Sequence, residues 1–170
     1  MTKKKSYLFL AAAAVLIGID QLIKVFVSAN LPRDGSVVFI KNFLNWTYIE
    51  NRGAAFSILE GKRWLLVVAT FLMVCICIYL LLSKRVTRVP VQLSLSLIIA
   101  GGIGNLIDRI FRGYVVDYID LNFKPFDGFA IFNFADCLVV VGTILLFICI
   151  LFEDFIFRKK TVEEKEVPHA

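Results

Sequence analysis

The sequence has very little of what most enzyme active sites use. Only one of its 170 residues is histidine, and this residue, His169, is next to the C-terminus. Ser-His-Asp catalysis, Cys-His catalysis and histidine-rich metal sites are therefore nearly excluded. An enzyme of this composition must work with Asp, Glu, Lys, Ser or Tyr. Charged residues make up only 19% of the chain, so a disordered tail protein is excluded and no nucleic-acid partner is expected.

Cysteine is also scarce, and every cysteine lies inside an apolar run. Cys75 and Cys77 are two residues apart, so on a helix they point to nearly opposite faces. We expect these side chains to pack as small apolar groups rather than to form disulfides or a zinc site. The same applies to the remaining two, Cys137 and Cys149.

Apolar side chains, by contrast, are in large excess. They make up 59% of the chain, and the mean hydropathy is +0.79. A soluble domain is about 45–50% apolar, so this chain is expected in a bilayer. Each apolar run is close to the roughly 20 residues that one membrane span needs. The runs predict one membrane domain over residues 1–170, with spans at 7–27, 64–82, 91–107 and 135–157.

Basic clusters predict how the spans are oriented. They precede the first span, separate the second from the third and follow the fourth, at Lys3–Lys5, Lys84–Arg88 and Arg158–Lys160. The positive-inside rule places all three clusters, and both termini, on the cytoplasmic side. Residues 28–63 and 108–134 then face outward, although they also carry basic residues, and residues 158–170 form a cytoplasmic tail. A cleavable signal peptide over residues 1–29 is the alternative interpretation.

The first outer connection predicts structure of its own. Residues 37–40 and 43–49 are rich in β-branched and aromatic side chains, which is typical of short strands. We expect a small sheet at the outer membrane surface, with Trp46 and Tyr48 near the lipid headgroups. The predicted fold class is therefore an α-helical integral membrane protein with four transmembrane helices and a small extracytoplasmic β-sheet, built largely from the first outer loop.

Two charged residues interrupt the first span. Burying a central Asp or Lys in a bilayer costs about 2.5–3.5 kcal/mol, so each needs a partner or a task. Asp20 and Lys24 are four residues apart and share one helix face. They form an intrahelical ion pair, or they brace something functional at the outer end of the span.

Two further segments have alternative interpretations. The small residues of Asn51–Phe56 predict either a tight turn back to the membrane or a binding role. The glycines of Gly101–Arg109 do not match a dinucleotide-binding pattern and favour close helix packing. Asn105, Asp108 and Arg109 share a helix face, and an Asp108–Arg109 ion pair is the simple explanation for the last two.

Several acidic residues are predicted to meet on the outer side. Asn133 is a plausible N-cap for the fourth span, which places Asp136 in its first turn. Asp108, Asp117, Asp120 and Asp136 can converge there inside an apolar shell. Two carboxyl groups that share a proton form an aspartic-protease site, in which one activates water and the other donates to the scissile carbonyl. Residue chemistry alone does not choose the pair from five outer Asp residues, counting Asp127.

Five ordered motifs resemble the lipoprotein signal peptidases (signal peptidase II), which are bacterial four-span aspartic proteases. They cover nearly the whole chain: Asp20–Lys24, Asn51–Phe56, Gly104–Arg109, Val115–Asp120 and Phe132–Asp136. Tyr118 stands where the family commonly has Phe. The resemblance implies removal of the signal peptide from a diacylglyceryl-modified prolipoprotein, with the cut just before the lipidated Cys.

The resemblance also assigns roles to residues. Asp117 and Asp136 become the catalytic pair. The substrate-binding or supporting residues are Asp20, Lys24, Asn51, Gly53, Ala54, Phe56, Gly104, Asn105, Arg109, Val116, Asn133 and Ala135. No metal or organic cofactor is implied. The expected partners are the lipidated prolipoprotein and membrane lipids, and the expected state is a monomer in the bacterial cytoplasmic (inner) membrane with its active site near the outer face.

Three other functions remain as alternatives. A small transporter or channel subunit would explain Asp20 and Lys24 but needs a polar path through the bilayer. A membrane protease could instead use Ser57 or Ser28 with Lys24, since this mechanism needs no histidine. A non-catalytic assembly factor would have no need of Asp117.

Overall fold

The computed structural model describes residues 3–54, 58–83, 86–125 and 128–152. Its elements in chain order are α1 (Lys3–Asn30), β1 (Ser36–Ile40), β2 (Leu44–Asn51), α2 (Arg63–Leu82), α3 (Val89–Phe111), β3 (Val115–Leu121) and α4 (Phe134–Leu151). Four helices in this part of the chain are long and apolar enough to cross a membrane. Together with the small sheet they confirm the predicted fold class.

Helix α3 is the centre of the bundle. It packs against α1, α2 and α4, and it is far more buried than the other three helices. Pro90 lies in its first turn, where a missing backbone N–H has no cost. Glycines let α4 approach closely: a Cβ at Gly142 would lie 2.9 Å from the Ser94 carbonyl oxygen, and one at Gly101 would collide with the Ala135 carbonyl oxygen. The predicted role of small residues in helix packing is confirmed.

The helices run further than the apolar stretches of the sequence. The predicted third span ends at residue 107, whereas α3 continues to Phe111 and so carries Asp108 and Arg109 in its last turns. The Arg112 N–H donates to the Asp108 carbonyl (2.8 Å), so helical bonding continues through the polar residues. Hydropathy marks only the apolar part of a helix. The predicted end of the fourth span at residue 157 and the tail at 158–170 lie outside the described residues.

The sheet joins the two outer connections. β2 is the central strand and pairs antiparallel with β1 on one side and β3 on the other. The register places Ile49 of β2 opposite Asp117 of β3. Phe132, just before α4, bridges to Ile119 and extends the edge of the sheet. Asp117 is therefore held between a strand and the segment that leads into α4.

Aromatic residues attach the sheet to the helices. The Trp46 ring stacks on Phe39 at 5.4 Å and meets the edge of Phe26 of α1 at 6.2 Å. Tyr48 is only 4% exposed and packs in a cluster with Val116. The prediction that Tyr48 lies near the headgroups is therefore wrong, because this face of β2 is covered by protein.

The cysteines behave as packing residues. All four are free thiols in the structure. Cys75 is exposed and Cys77 is buried, as expected for neighbours that point to opposite faces of α2.

Candidate active site

A capping box fixes Asp136 at the start of α4. Asn133 is the N-cap, and its side-chain oxygen accepts from the Asp136 N–H (3.0 Å). In return the Asp136 carboxylate accepts from the Asn133 N–H (3.1 Å). Both bonds satisfy N–H groups that a helix start leaves without partners, and the positive end of the helix favours the carboxylate. The predicted N-cap is confirmed.

Asp117 lies beside this box on β3. It is only 2% exposed. The Asn133 side-chain amide donates to Asp117 Oδ1 (2.6 Å), and the Asn51 amide donates to Asp117 Oδ2 (2.8 Å). Asn51 is the last residue of β2, so β2, β3 and the start of α4 together hold this carboxyl group.

Asn105 of α3 connects the two carboxyl groups. Its amide nitrogen donates to Asp136 Oδ1 (2.7 Å). Its amide oxygen accepts from the Asn133 side chain (3.2 Å), which also binds Asp117. Asp117 and Asp136 are thus parts of one hydrogen-bonded network.

Burial sets the protonation of Asp117. Removal from water, and next the negative charge of Asp136, raise the pKa of Asp117 to about 7, although the hydrogen bonds from Asn51 and Asn133 act in the opposite direction. A carboxyl group with this pKa holds a proton below neutral pH. One group of the pair can therefore donate a proton while the other accepts one.

A buried charge cluster lies beneath the pair. The Lys24 ammonium contacts Asp20 at 3.0 Å and Asp108 at 2.9 Å, and all three side chains are fully buried. The predicted Asp20–Lys24 ion pair is confirmed. The predicted Asp108–Arg109 pair is wrong, since Asp108 contacts Lys24 and Arg112 (3.4 Å) instead.

The two carboxylates of this cluster also bind backbone near the site. Asp20 accepts from the Ala135 N–H (3.1 Å), and Asp108 accepts from the Val116 N–H (3.3 Å). A Cβ at Gly104 would lie 2.6 Å from Asp20 Oδ2, so only glycine fits there. Val116 and Ala135 directly precede Asp117 and Asp136 in the chain. The cluster therefore holds the backbone on which both carboxyl groups stand.

Arg109 holds the segment that follows β2. Its guanidinium donates to the Gly53 carbonyl (3.0 Å), and the Gly53 N–H donates to Asn51 Oδ1 (2.9 Å). The second bond turns the Asn51 amide nitrogen toward Asp117. The N–H of Ala54 donates to the Ile58 carbonyl (2.7 Å), which closes a turn. Phe56 lies outside the described residues.

An apolar cleft of about 410 Å³ opens beside the two carboxyl groups. Asn51, Asp117 and Asp136 lie in its wall, and most of its other lining is apolar. Val140 and Val141 of α4 are each 55% exposed, so this wall continues into the apolar outer surface of the helix. A second cleft of about 320 Å³ also reaches Asp117 and is lined by Glu50, Arg52 and Glu60, among others.

Two of the acidic residues expected at the site lie elsewhere. Asp120 accepts from Thr47 (3.0 Å) and Asn45 (3.3 Å) on the sheet. It is three residues from Asp117 on the same strand and therefore points to the other face. Asp108 belongs to the buried charge cluster. Asp127 lies outside the described residues.

Sequence reasoning missed some residues around the site. Gln21 donates to the Gly104 carbonyl (3.1 Å), and Arg112 contacts Asp108. The cleft wall at Phe129–Phe132 was not predicted to line the pair residue by residue. The available signal was the apolar run directly before the Asn133 cap.

The geometry speaks against the Ser–Lys alternative. Lys24 is engaged with Asp20, Asp108 and Asn105 (2.9 Å), so its three N–H donors are occupied. Ser28 accepts from Arg112 (3.3 Å). Ser57 lies outside the described residues. Asp20 and Lys24 therefore brace the site rather than activate a serine.

Fold and site together define a class: an integral membrane protein in which two carboxyl groups from different elements meet beside an apolar cleft. The family model for signal peptidase (SPase) II matches residues 12–152. The chain belongs to this family and is a peptidase. The resemblance noted from the five motifs is confirmed.

Individual relatives agree with the family match. Lipoprotein signal peptidases of Streptococcus pyogenes serotypes M2 and M1 are each 42% identical over 150 residues, which cover 88% of this chain and 97% of theirs. Two solved structures described as bacterial membrane enzymes are also similar. One has a TM-score of 0.78 at 32% identity, covering 98% of this chain and 94% of its own. The other has 0.75 at 34% identity, covering 87% and 93%.

Proposed function

We propose that this peptidase is an aspartic endopeptidase that removes the signal peptide from diacylglyceryl-modified prolipoproteins. The cut falls immediately before the lipidated Cys. Asp117 and Asp136 activate one water molecule between them. The observation that carries the proposal is the asparagine network that joins these two carboxyl groups in the wall of an apolar cleft.

The two carboxyl groups have different environments and therefore different tasks. Asp136 accepts from Asn105 and from the Asn133 N–H at a helix start, which favours the ionised form. Asp117 is more buried, and its raised pKa favours the protonated form. Asp136 is thus the base and Asp117 the acid in the first step.

In that step the water oxygen bonds to the scissile carbonyl carbon. The water gives a proton to Asp136 while Asp117 gives its proton to the carbonyl oxygen. In the second step the carbon–nitrogen bond breaks. Asp136 then protonates the leaving amine, and a hydroxyl proton of the intermediate returns to Asp117. Both carboxyl groups end as they began, so no covalent enzyme intermediate is needed.

The clefts suit a substrate that is already in the bilayer. The apolar cleft continues into the outer surface of α4, where acyl chains can enter sideways from lipid. The cleft lined by Glu50, Arg52 and Glu60 suits the water-exposed part of the peptide. The segment before Asn133 and the sheet flank the pair and exclude solvent from it.

The remaining residues support the pair. Arg109 and Gly53 fix the segment after β2, while Asn51 orients Asp117. Asp20, Lys24, Gly104, Val116 and Ala135 hold the backbone beneath it. Ala54 and Phe56 border the cleft, and Asn105 and Asn133 join the two carboxyl groups.

We also propose the arrangement of the chain in the membrane. Residues 1–170 form one membrane domain, with both termini cytoplasmic and the active site near the outer face. The basic clusters beside the spans support this orientation. All contacts that build the site come from one chain, which favours a monomer.

The proposed substrate class is tested with two synthetic peptides that carry the same lipobox sequence. One has a diacylglyceryl group on its Cys, and the other has the free thiol. We expect the purified protein to cut the lipidated peptide directly before the Cys, with kcat/KM at least about 100-fold higher, because binding energy from the acyl chains is used at the reacting bond. Mass spectrometry of the products identifies the cut. Equal cleavage of both peptides, or a cut elsewhere, would contradict the proposal.

A further inference from the structure

Lys24 is buried with a complete set of partners. Its side chain is 0% exposed. A lysine ammonium has three N–H donors and no acceptor. Here the three acceptors are Asp20 Oδ2 (3.0 Å), Asp108 Oδ2 (2.9 Å) and Asn105 Oδ1 (2.9 Å). Two of these partners neutralise the charge, and the third is a neutral amide that belongs to the active-site network.

The contact with Asn105 determines which way this amide faces. Because the ammonium only donates, the atom that Asn105 presents to it must be the oxygen. The amide nitrogen is then directed to Asp136, to which it donates at 2.7 Å. If the amide were turned over, its nitrogen would meet the ammonium and its oxygen would meet the Asp136 carboxylate. Both contacts would be repulsive.

The same polarity passes on to the other carboxyl group. Asn105 Oδ1 also accepts from Asn133 Nδ2 (3.2 Å), which is the atom that donates to Asp117. Every donor in this chain of bonds therefore points from Lys24 toward the acidic pair. Asn133 has a second constraint in the capping box, whereas the direction of Asn105 is set by Lys24.

We propose that Lys24 is a positioning residue for the cleavage reaction: its ammonium fixes the direction of the Asn105 amide and so supplies Asp136 with an N–H donor. Lys24 acts through Asn105 and touches no reacting atom. The inference rests on the proposed function, since its readout is cleavage of the lipidated peptide.

A double-mutant cycle separates this role from a purely structural one. The variants are Lys24→Met, Asn105→Leu and the two combined, with kcat and KM measured on the lipidated peptide. We expect Lys24→Met to lower kcat by at least about 30-fold in the native background but by less than about threefold once Asn105 is replaced, with KM changed by less than about threefold. Lys24→Arg keeps a charged donor and should restore most of the lost kcat.

A second set of variants guards against loss of the fold. If Lys24→Met does not yield folded protein, the cycle is repeated with Asp20→Asn in every member, which restores the charge balance of the cluster. Equal losses of kcat with and without Asn105, or no benefit of Arg over Met, would overturn the inference. Failure of the unmodified protein to cleave the peptide would instead overturn the proposed function.

Discussion

Asp117→Asn and Asp136→Asn should each abolish detectable cleavage of a lipidated prolipoprotein. An amide has almost the size of a carboxyl group but neither accepts nor releases a proton in the reaction. The loss of a positioned acid or base costs about 10²- to 10⁴-fold in rate. The measurement is kcat/KM of each purified variant on the lipidated peptide, with insertion into the membrane checked by fractionation.

Asp120→Asn is the matched control for these two changes. Asp120 lies on the same strand as Asp117 but on the other face, where it binds Thr47 and Asn45. We expect its substitution to leave kcat/KM within about threefold of the unmodified value, below the 1.4 kcal/mol that a tenfold change represents. A loss smaller than about tenfold for Asp117→Asn or Asp136→Asn would contradict the assignment of the pair.

Asp20→Ala should mainly lower the stability of the protein. The change leaves Lys24 with one carboxylate fewer in a fully buried cluster and removes the acceptor of the Ala135 N–H. Breaking a buried ion pair by removing one partner costs about 3–5 kcal/mol. We expect a clear drop in the midpoint of thermal unfolding in detergent, followed by circular dichroism.

Asp120→Ala provides the comparison for stability. Asp120 makes only hydrogen bonds to uncharged side chains at the edge of the protein. Its removal should cost about 1 kcal/mol, the usual net value of such a bond. An unfolding midpoint for Asp20→Ala that equals that of the unmodified protein would show that the buried cluster does not support the fold.

Local spacing carried much of the site in the sequence. Asp20 and Lys24 are one helical turn apart, and the helix alone brings them together. Asn133 and Asp136 have the spacing of a capping box, which fixes their mutual geometry without reference to the rest of the molecule. Contacts of this kind are predictable because the backbone between the two residues determines them.

Contacts between elements were not predictable in the same way. Asp108 could pair with its neighbour Arg109 or with a residue of another helix, and only the packing of α1 on α3 brings Lys24 to it. Strand alternation puts Asp117 and Asp120 on opposite faces of β3, but the register against β2 decides which face meets Asn51. The resemblance to known peptidases chose the pair that residue chemistry left open.

The central claim is that Asp117 and Asp136 act together on one water molecule. Its most direct test uses two non-cleavable lipidated peptides, one with a secondary alcohol at the scissile position and one with a methylene group. We expect the unmodified protein to bind the alcohol at least about 100-fold more tightly, because its hydroxyl mimics the attacking oxygen. This preference should disappear in both Asp117→Asn and Asp136→Asn. A preference that persists in either variant would contradict the claim.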